Sequence, residues 1–276
     1  MTNLVSTEWL AAHLNDVRVV DASWYMPDEK REPAKEFETG HIPGAVFFDI
    51  DGIADHAAGL PHMLPSPGEF SKAVGALGIG DGETVVVYDG SGIFSAPRVW
   101  WMLKAMGHDT VKVLDGGFPK WKREGRALET GPAKAAPKFF TAIPRPAIIR
   151  DLVAVTGIVQ DKTAQMVDAR SAGRFTGAEA EPRAGVRGGH MPGAANVHFR
   201  ALLSENGTFR PAAELRAIFA KAGVALDKPI VTSCGTGVTA AILMLALEEI
   251  GARDVALYDG SWTEWGGRAD TAVVTG

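Results

Sequence analysis

An internal repeat constrains the fold of this sequence more than any other feature. Four segments of the first half recur in the same order in the second half: VRVVDAS (17–23) as AQMVDAR (164–170), FETGHIPGAVFF (37–48) as RGGHMPGAANVHF (187–199), residues 83–107 as 228–251, and VKVLDGGFPKW (111–121) as VALYDGSWTEW (255–265). The offset is nearly constant, at 149 residues from His41 to His190 and 145 from Asp89 to Cys234. Similarity at a fixed period indicates a duplicated structural unit. We therefore predict two copies of one domain.

A proline-rich stretch separates the copies. GPAKAAPKFFTAIPRP (131–146) has four prolines in 16 residues, which favours an extended connector. The predicted boundaries are a first domain at 1–130, a linker at 131–146 and a second domain at 147–276. Within each copy, short β-branched apolar runs alternate with amphipathic stretches, which predicts an α/β fold. We expect two tandem domains, each a mostly parallel sheet flanked by helices.

Composition restricts the partners of the chain. A formal net charge of −5 and a pI near 5.8 argue against a nucleic acid or an anionic membrane as a partner. No apolar run reaches the roughly 18 residues of a membrane span, and the first residues lack the features of a signal or transit peptide. We expect a cytoplasmic protein. The single cysteine excludes internal disulfides and cysteine-rich metal sites, and no ligand spacing indicates a metal or a cofactor.

The single cysteine, Cys234, lies between a predicted strand (PIVTSC) and a predicted helix (GVTAAILMLALEEIG). A lone cysteine is more often an inert buried residue than a nucleophile. In open α/β sheets, however, sites form at the carboxyl ends of strands. The loop after Cys234 has two glycines, and its backbone N–H groups and the following helix can stabilise an anion, here a thiolate or a persulfide. The predicted cradle consists of Gly235, Thr236, Gly237, Val238 and Thr239.

These motifs resemble a known family. The loop CGTGVTA, the turns HIPGA and HMPGA and the terminal YDGSWTEW are similar to those of tandem-domain rhodanese-type sulfurtransferases, over nearly the whole chain. The resemblance implies that the second domain is catalytic, that Cys234 carries sulfur as a persulfide, and that the first domain is an inactive copy. Asp89 stands at the position that matches Cys234, and a carboxylate cannot form a persulfide.

The resemblance also bears on the sulfur donor. Thiosulfate sulfurtransferases carry cationic residues in the loop, in the pattern C-R-K-G, whereas this loop has the neutral Gly235 and Thr236. It is closest to the 3-mercaptopyruvate sulfurtransferases, whose donor has one carboxylate. In those enzymes a G-R-F arginine and an E-P-R arginine nine residues later bind the substrate, and these fall on Arg174 and Arg183. The alternative for both is a solvated surface arginine.

The first half of the chain contributes a further expectation. FFDIDGIADHAAGLPHMLP resembles a family segment in which an aspartate and a histidine eleven residues later form a proton relay with a hydroxyl of the loop. The matching residues are Asp51, His62 and Thr236. A serine usually occupies the position of Thr236, and the methyl group of threonine restricts its rotamer. The alternative is a structural role for Asp51 and His62.

Three functions remain open on the sequence. The first is transfer of sulfur from 3-mercaptopyruvate through Cys234 to cyanide, a thiol or a thioredoxin-like acceptor, with release of pyruvate. The second is the same mechanism with thiosulfate, and the third is a non-catalytic persulfide-binding or regulatory module. A C-x5-R phosphatase is excluded because Ala240 stands where the arginine is needed. We expect a monomer, since a site between two domains of one chain needs no partner subunit.

Overall fold

Both halves of the chain form a parallel β-sheet flanked by helices in the computed structural model, which describes residues 2–133 and 135–276. The chain divides into two units. The first comprises Met1–Asp55, Leu64–Arg145 and Ser204–Phe209, and the second comprises His56–Met63, Pro146–Leu203 and Arg210–Gly276. A short segment from each half of the sequence thus belongs to the unit that the other half forms. The repeat in the sequence did not predict this exchange.

The first unit has a five-stranded sheet. Its strands are β1 (Leu4–Val5), β2 (Arg18–Asp21), β3 (Val46–Phe47), β4 (Val85–Tyr88) and β5 (Val111–Leu114). Its helices are α1 (Thr7–His13), α2 (Pro33–Thr39), α3 (Pro67–Ala76), α4 (Ala96–Ala105) and α5 (Gly117–Arg123), with a 3₁₀ turn at Pro27–Glu29. The strand order is β1-β5-β4-β2-β3, and every neighbouring pair is parallel.

The second unit repeats this plan. Its strands are β6 (Ile149–Arg150), β7 (Gln165–Asp168), β8 (Ala195–Asn196), β9 (Ile230–Ser233) and β10 (Val255–Tyr258). Its helices are α6 (Leu152–Asp161), α7 (Ala172–Thr176), α8 (Ala212–Lys221), α9 (Ala240–Glu249) and α10 (Ser261–Gly267), with 3₁₀ turns at His56–Ala58, Pro146–Ile148 and Phe199–Leu202. The order β6-β10-β9-β7-β8 is again parallel throughout and matches the first sheet strand for strand. The predicted fold class is confirmed.

The sequence explains why the central strands form where they do. VVVY in β4 and IVTS in β9 are buried at every position, as expected for strands covered by helices on both faces. The helices that follow them are also buried over most of their length, in α4 from Ala96 to Leu103 and in α9 from Ala240 to Leu247. Each unit therefore has its own apolar core around a central strand and the helix that follows it.

The repeated histidines, His41 and His190, stabilise the same turn in both copies. The imidazole of His41 stacks on Phe37 at 3.9 Å between ring centroids, and its Nδ1 hydrogen-bonds to the Phe37 carbonyl at 2.7 Å. His190 stacks on Phe175 at 3.8 Å and hydrogen-bonds to its carbonyl at 2.9 Å. The same arrangement in both copies fixes the chain just before each Pro-Gly turn.

The proline-rich stretch is held to the first unit by hydrogen bonds rather than by regular structure. Its backbone N–H groups at Lys138, Ile143 and Arg145 donate to carbonyls of the first unit at 2.8 to 2.9 Å. Over residues 2–133 and 135–276, no helix has both the length and the apolar character that crossing a membrane requires.

Candidate active site

Cys234 directly follows β9, one of the central strands of its sheet, and is only 2% exposed. Two backbone hydrogen bonds hold it. Its N–H donates to Ser261 Oγ at 3.2 Å, and its carbonyl accepts from the N–H of Trp262 at 2.9 Å. The start of α10 therefore fixes both sides of the cysteine, so that its sulfur has a defined position at the carboxyl end of the sheet.

Ser261 is an unusual residue at this place. Its φ is 49°, in the left-handed region that side chains other than glycine avoid. The matching position of the first copy is Gly117, whose φ is 52°. The Ser261 hydroxyl donates to the Tyr258 carbonyl at 2.9 Å and accepts from Cys234. The second copy thus tolerates a strained serine where glycine would suffice, and the serine hydroxyl supports the cysteine.

The loop after Cys234 turns its carbonyls away and leaves its N–H groups available. The Gly235 carbonyl accepts from the N–H and the hydroxyl of Thr263, at 2.9 and 2.7 Å. Gly237 has a φ of 82°, which allows the tight turn. In the described part of the chain, no acceptor is found for the N–H groups of residues 235–239. Such unpaired N–H groups at the start of a helix make a site for an anion.

The first copy shows this kind of cradle with a carboxyl group inside. Asp89 is fully buried, and its Oδ2 accepts three backbone hydrogen bonds of 2.8 to 3.0 Å from Phe94, Ser95 and Ala96. Its Oδ1 accepts a fourth from Ser91 at 2.9 Å. Burial raises the pKa of this carboxyl, and the four N–H groups act in the opposite direction. The loop geometry therefore suits a buried group with negative charge.

A hydrogen bond of 3.0 Å joins His62 Nδ1 to Thr236 Oγ1, and both residues are buried in the second unit. His62 has a φ of 63°, so this part of the backbone is also strained. The structure therefore brings together two of the three residues of the predicted relay. The third, Asp51, lies in the first unit, where its Oδ2 accepts a hydrogen bond from Trp24 Nε1 at 3.0 Å.

A buried ion network includes one of the two predicted substrate arginines, Arg174. The guanidinium of Arg170 is 1% exposed and donates to both oxygens of Asp168 at 2.6 to 3.1 Å, to Glu181 at 2.7 Å and to the Gly189 carbonyl at 2.8 Å. Burial lowers the pKa of Arg170, but Asp168 and Glu181 outweigh burial and raise it. Glu181 also accepts two hydrogen bonds from Arg174, at 3.1 and 2.5 Å.

Arg174 approaches the cysteine loop closely. A Cβ atom placed on Gly235 would lie 3.2 Å from Arg174 Nη2, so the absence of a side chain at Gly235 makes room for this guanidinium. Arg183, the other predicted arginine, is half-buried in the loop that follows α7. Among residues 2–133 and 135–276, no group of three or more His, Cys, Asp or Glu side chains is arranged to hold a metal ion.

Three residues that support the site were missed by the sequence reasoning: Arg170, Glu181 and Ser261. A signal for two of them was present, since the repeat places Ser23 opposite Arg170 and Gly117 opposite Ser261. Differences between the copy that carries Cys234 and the copy that carries Asp89 mark positions where the second copy has a particular side chain. Glu181 has no such signal, because the loops before the two Pro-Gly turns differ.

Comparison with known proteins identifies the family. A model of the rhodanese-like domain matches residues 6–124 and 154–268. The chain belongs to the rhodanese family. Among curated rhodanese relatives, the 3-mercaptopyruvate sulfurtransferase of Escherichia coli K12 is 45% identical over 99% of this chain and 98% of its own length. Thiosulfate/3-mercaptopyruvate sulfurtransferase 1, mitochondrial, from Arabidopsis thaliana is 45% identical over 98% of this chain and 77% of its own length.

A solved rhodanese-fold structure agrees. SseA from Escherichia coli, a 3-mercaptopyruvate sulfotransferase, superposes with a TM-score of 0.87 at 43% identity. The match covers 95% of this chain and 99% of the SseA chain. The resemblance noted from the sequence is confirmed, and with it the sulfur-group transferase class.

Proposed function

We propose that this rhodanese transfers sulfur from 3-mercaptopyruvate, through a persulfide on Cys234, to an acceptor such as cyanide, a thiol or a thioredoxin-like protein. The Cys234 thiolate attacks the sulfur of the donor, a new S–S bond forms, and the donor C–S bond breaks with its electron pair on carbon. The proton of the donor thiol moves to that carbon and gives pyruvate. The acceptor then takes the outer sulfur and restores the thiolate.

The hydrogen bonds to the Asp89 carboxylate in the first copy carry this proposal, because that side chain has the length of a cysteine persulfide. From Cβ, the path to its outer atom is Cβ–Cγ–Oδ, and in a cysteine persulfide the equivalent path is Cβ–Sγ–S. Three N–H groups hold Asp89 Oδ2, one bond beyond the atom that corresponds to Sγ. The loop of the second copy is one residue shorter, and aligning the starts of α4 and α9 places Val238, Thr239 and Ala240 at the matching positions around Cys234. The loop of the second copy thus suits the charged outer sulfur of a persulfide.

The arginines support the choice of donor. Glu181 holds Arg174 with two hydrogen bonds, which leaves the remaining guanidinium N–H groups directed elsewhere, and Nη2 is close to Gly235. An arginine fixed in this way is suited to a carboxylate, which it recognises in a planar geometry. We propose that Arg174 and Arg183 bind the carboxylate of the donor.

Thiosulfate is the second candidate donor, since the name of the Arabidopsis relative includes both donors. We expect kcat/KM to be higher with 3-mercaptopyruvate than with thiosulfate. Replacing Arg183 with alanine removes a charged hydrogen-bond donor and should lower kcat/KM for 3-mercaptopyruvate by about ten- to a hundredfold, with a smaller loss for thiosulfate. Steady-state kinetics with both donors measure these values.

The matched control is Arg253→Ala, which removes an exposed arginine of the same unit, just before β10. It should leave both values unchanged. A preference of the unaltered protein for thiosulfate would contradict the proposed donor. Equal losses for both donors in Arg183→Ala would contradict the role of Arg183 as a carboxylate ligand.

We further propose that His62 and Thr236 carry the proton that pyruvate requires, with Asp51 as the third member. The 3.0 Å bond between the imidazole and the hydroxyl supports a path for this proton. Thr236→Val keeps the shape of the side chain but removes the hydroxyl, and kcat should fall about 10²-fold with little change in KM. Thr236→Ser keeps the hydroxyl and should retain activity. If serine and valine reduce kcat equally, the hydroxyl has no such role.

The cellular location and the oligomeric state of the enzyme remain predictions. We propose that it acts as a monomer in the cytoplasm, while noting that the Arabidopsis relative is named as mitochondrial. Gel filtration at several protein concentrations measures the oligomeric state.

A further inference from the structure

The environment of Arg170 in the second copy shows what a buried guanidinium binds in this fold. Its donors meet the carboxylates of Asp168 and Glu181 and the carbonyl of Gly189, and its Cζ lies 4.3 Å from the centroid of the Trp262 ring. An anion, a carbonyl and an aromatic face are the three partners that a planar cation prefers.

The first copy keeps these partners but lacks the arginine. The matched pairs are Asp21 and Asp168, Ser23 and Arg170, Gly40 and Gly189, and Phe118 and Trp262. The backbone agrees as well, because the N–H of Ser23 donates to Asp21 Oδ1 at 2.8 Å and the N–H of Arg170 donates to Asp168 Oδ1 at the same distance. A further carboxylate, that of Glu36, lines the same cavity and forms an ion pair with Arg31. The first copy thus keeps Asp21, Gly40 and Phe118 at the positions that bind the Arg170 guanidinium in the second copy, with a serine in place of that arginine.

The space for such a group is present. A cavity of about 310 Å³ is lined by Asp21, Ser23, Glu36, Gly40 and Phe118 and by the cations Arg31 and Lys122. Its volume lies at the lower end of the range for small-molecule sites. All of these residues belong to the first unit, and none belongs to the Cys234 site.

The charges around the cavity are only partly paired with each other. Arg31 lies over the Tyr25 ring, donates to the Tyr25 hydroxyl and forms an ion pair with Glu36. Lys122 Nζ lies 4.6 Å from the Phe118 ring on a flexible stem. Asp21 is 3% exposed and receives its hydrogen bonds from Ser23 and Tyr88, which are neutral. A buried carboxylate with neutral donors alone retains its attraction for a cation.

We propose that this cavity of the first unit binds a small compound that carries a guanidinium group. The guanidinium donates to the Asp21 carboxylate and the Gly40 carbonyl and packs against Phe118, as Arg170 does with the matching residues of the second unit. A carboxylate on the same compound would meet Lys122.

The ionisation of Asp21 gives the site a pH dependence. Burial, with a smaller contribution from the nearby Asp89 carboxyl, raises the pKa of Asp21 to about 6 against the opposing hydrogen bonds from Ser23 and Tyr88. The carboxylate is charged above this pH and neutral below it. Affinity for a cation should therefore be full at neutral pH and weaken as the pH falls below about 6.

Methylguanidinium is the probe, with the full chain at neutral pH. We expect saturable shifts of the Ser23, Gly40 and Gly90 amide signals in NMR titrations, with weaker binding of methylammonium because it is not planar. Asp21→Asn should weaken binding at least about tenfold, the loss of one charged hydrogen bond. Ser23→Arg places an arginine side chain of the protein itself in the cavity, so it should also prevent methylguanidinium from binding. Asp16→Asn, at an exposed position of the same unit, should bind normally.

Opposite results would overturn the proposal. No saturable change at these amides, equal binding of methylammonium and methylguanidinium, or full binding by Ser23→Arg would each show that the cavity does not recognise a guanidinium. The amide spectra of both variants also report whether the first unit is folded. If Asp21→Asn does not fold, the Ser23→Arg variant and the pH titration of the unaltered protein still decide the question.

Discussion

Replacing Cys234 with serine is expected to abolish sulfur transfer while the protein remains folded. The sulfur of Cys234 is the only thiol in the chain, and an oxygen nucleophile cannot carry a transferable sulfur under the same conditions. The fold should survive because the two hydrogen bonds that hold residue 234 come from its backbone. We expect kcat to fall by about 10³-fold or more.

Mass spectrometry tests the same prediction without turnover. After treatment with 3-mercaptopyruvate, the unaltered protein should gain about 32 Da, the mass of one persulfide sulfur. Cys234→Ser and Cys234→Ala should gain nothing, and their circular dichroism should match that of the unaltered protein. A mass gain in either variant would refute the persulfide mechanism. A folded native protein that gains no mass and shows no turnover would instead favour the non-catalytic module.

Replacing Arg170 with methionine is expected to destabilise the second unit strongly. Methionine fills much of the same space but leaves the carboxylates of Asp168 and Glu181, each 4% exposed, without their shared cation. Removing one partner of a buried ion network costs about 3–5 kcal/mol of unfolding free energy. Chemical denaturation, followed by a probe in the second unit, measures this loss.

The chain offers a matched control for this experiment. Arg268 also pairs with an aspartate two residues away, Asp270, but their side chains are 46% and 65% exposed. Arg268→Met should change the unfolding free energy by only about 0–1 kcal/mol, as is usual for exposed pairs. Similar small losses in both variants would show that burial of the Arg170 network does not matter for stability.

The parts of the fold that repeat were predictable from the sequence. The strand-loop-helix pattern around Cys234 is local, since a β-branched run, two glycines and an apolar helix follow one another directly. Because the same pattern occurs twice, each copy supports the interpretation of the other. The pairing of His62 with Thr236 was predicted only through the family resemblance, since 174 residues separate them and no local pattern joins them.

The parts that depend on loops were not predictable. Glu181 orients Arg174 because the loop after α7 folds back on the helix, and no repeat or periodicity encodes that path. The left-handed conformation of Ser261 is likewise a property of the turn after β10. In both cases side-chain hydrogen bonds over a short distance decide the geometry, and they appear only once the backbone is in place.

The exchange of segments between the units limits how this gene can have evolved since its duplication. His56–Met63 is encoded in the first half but belongs to the second unit, and Ser204–Phe209 has the opposite placement. Recombination that moved the second half alone into another gene would lose His62, and with it the partner of Thr236. A complete second unit therefore requires both halves of the gene, although their strands still follow the same order.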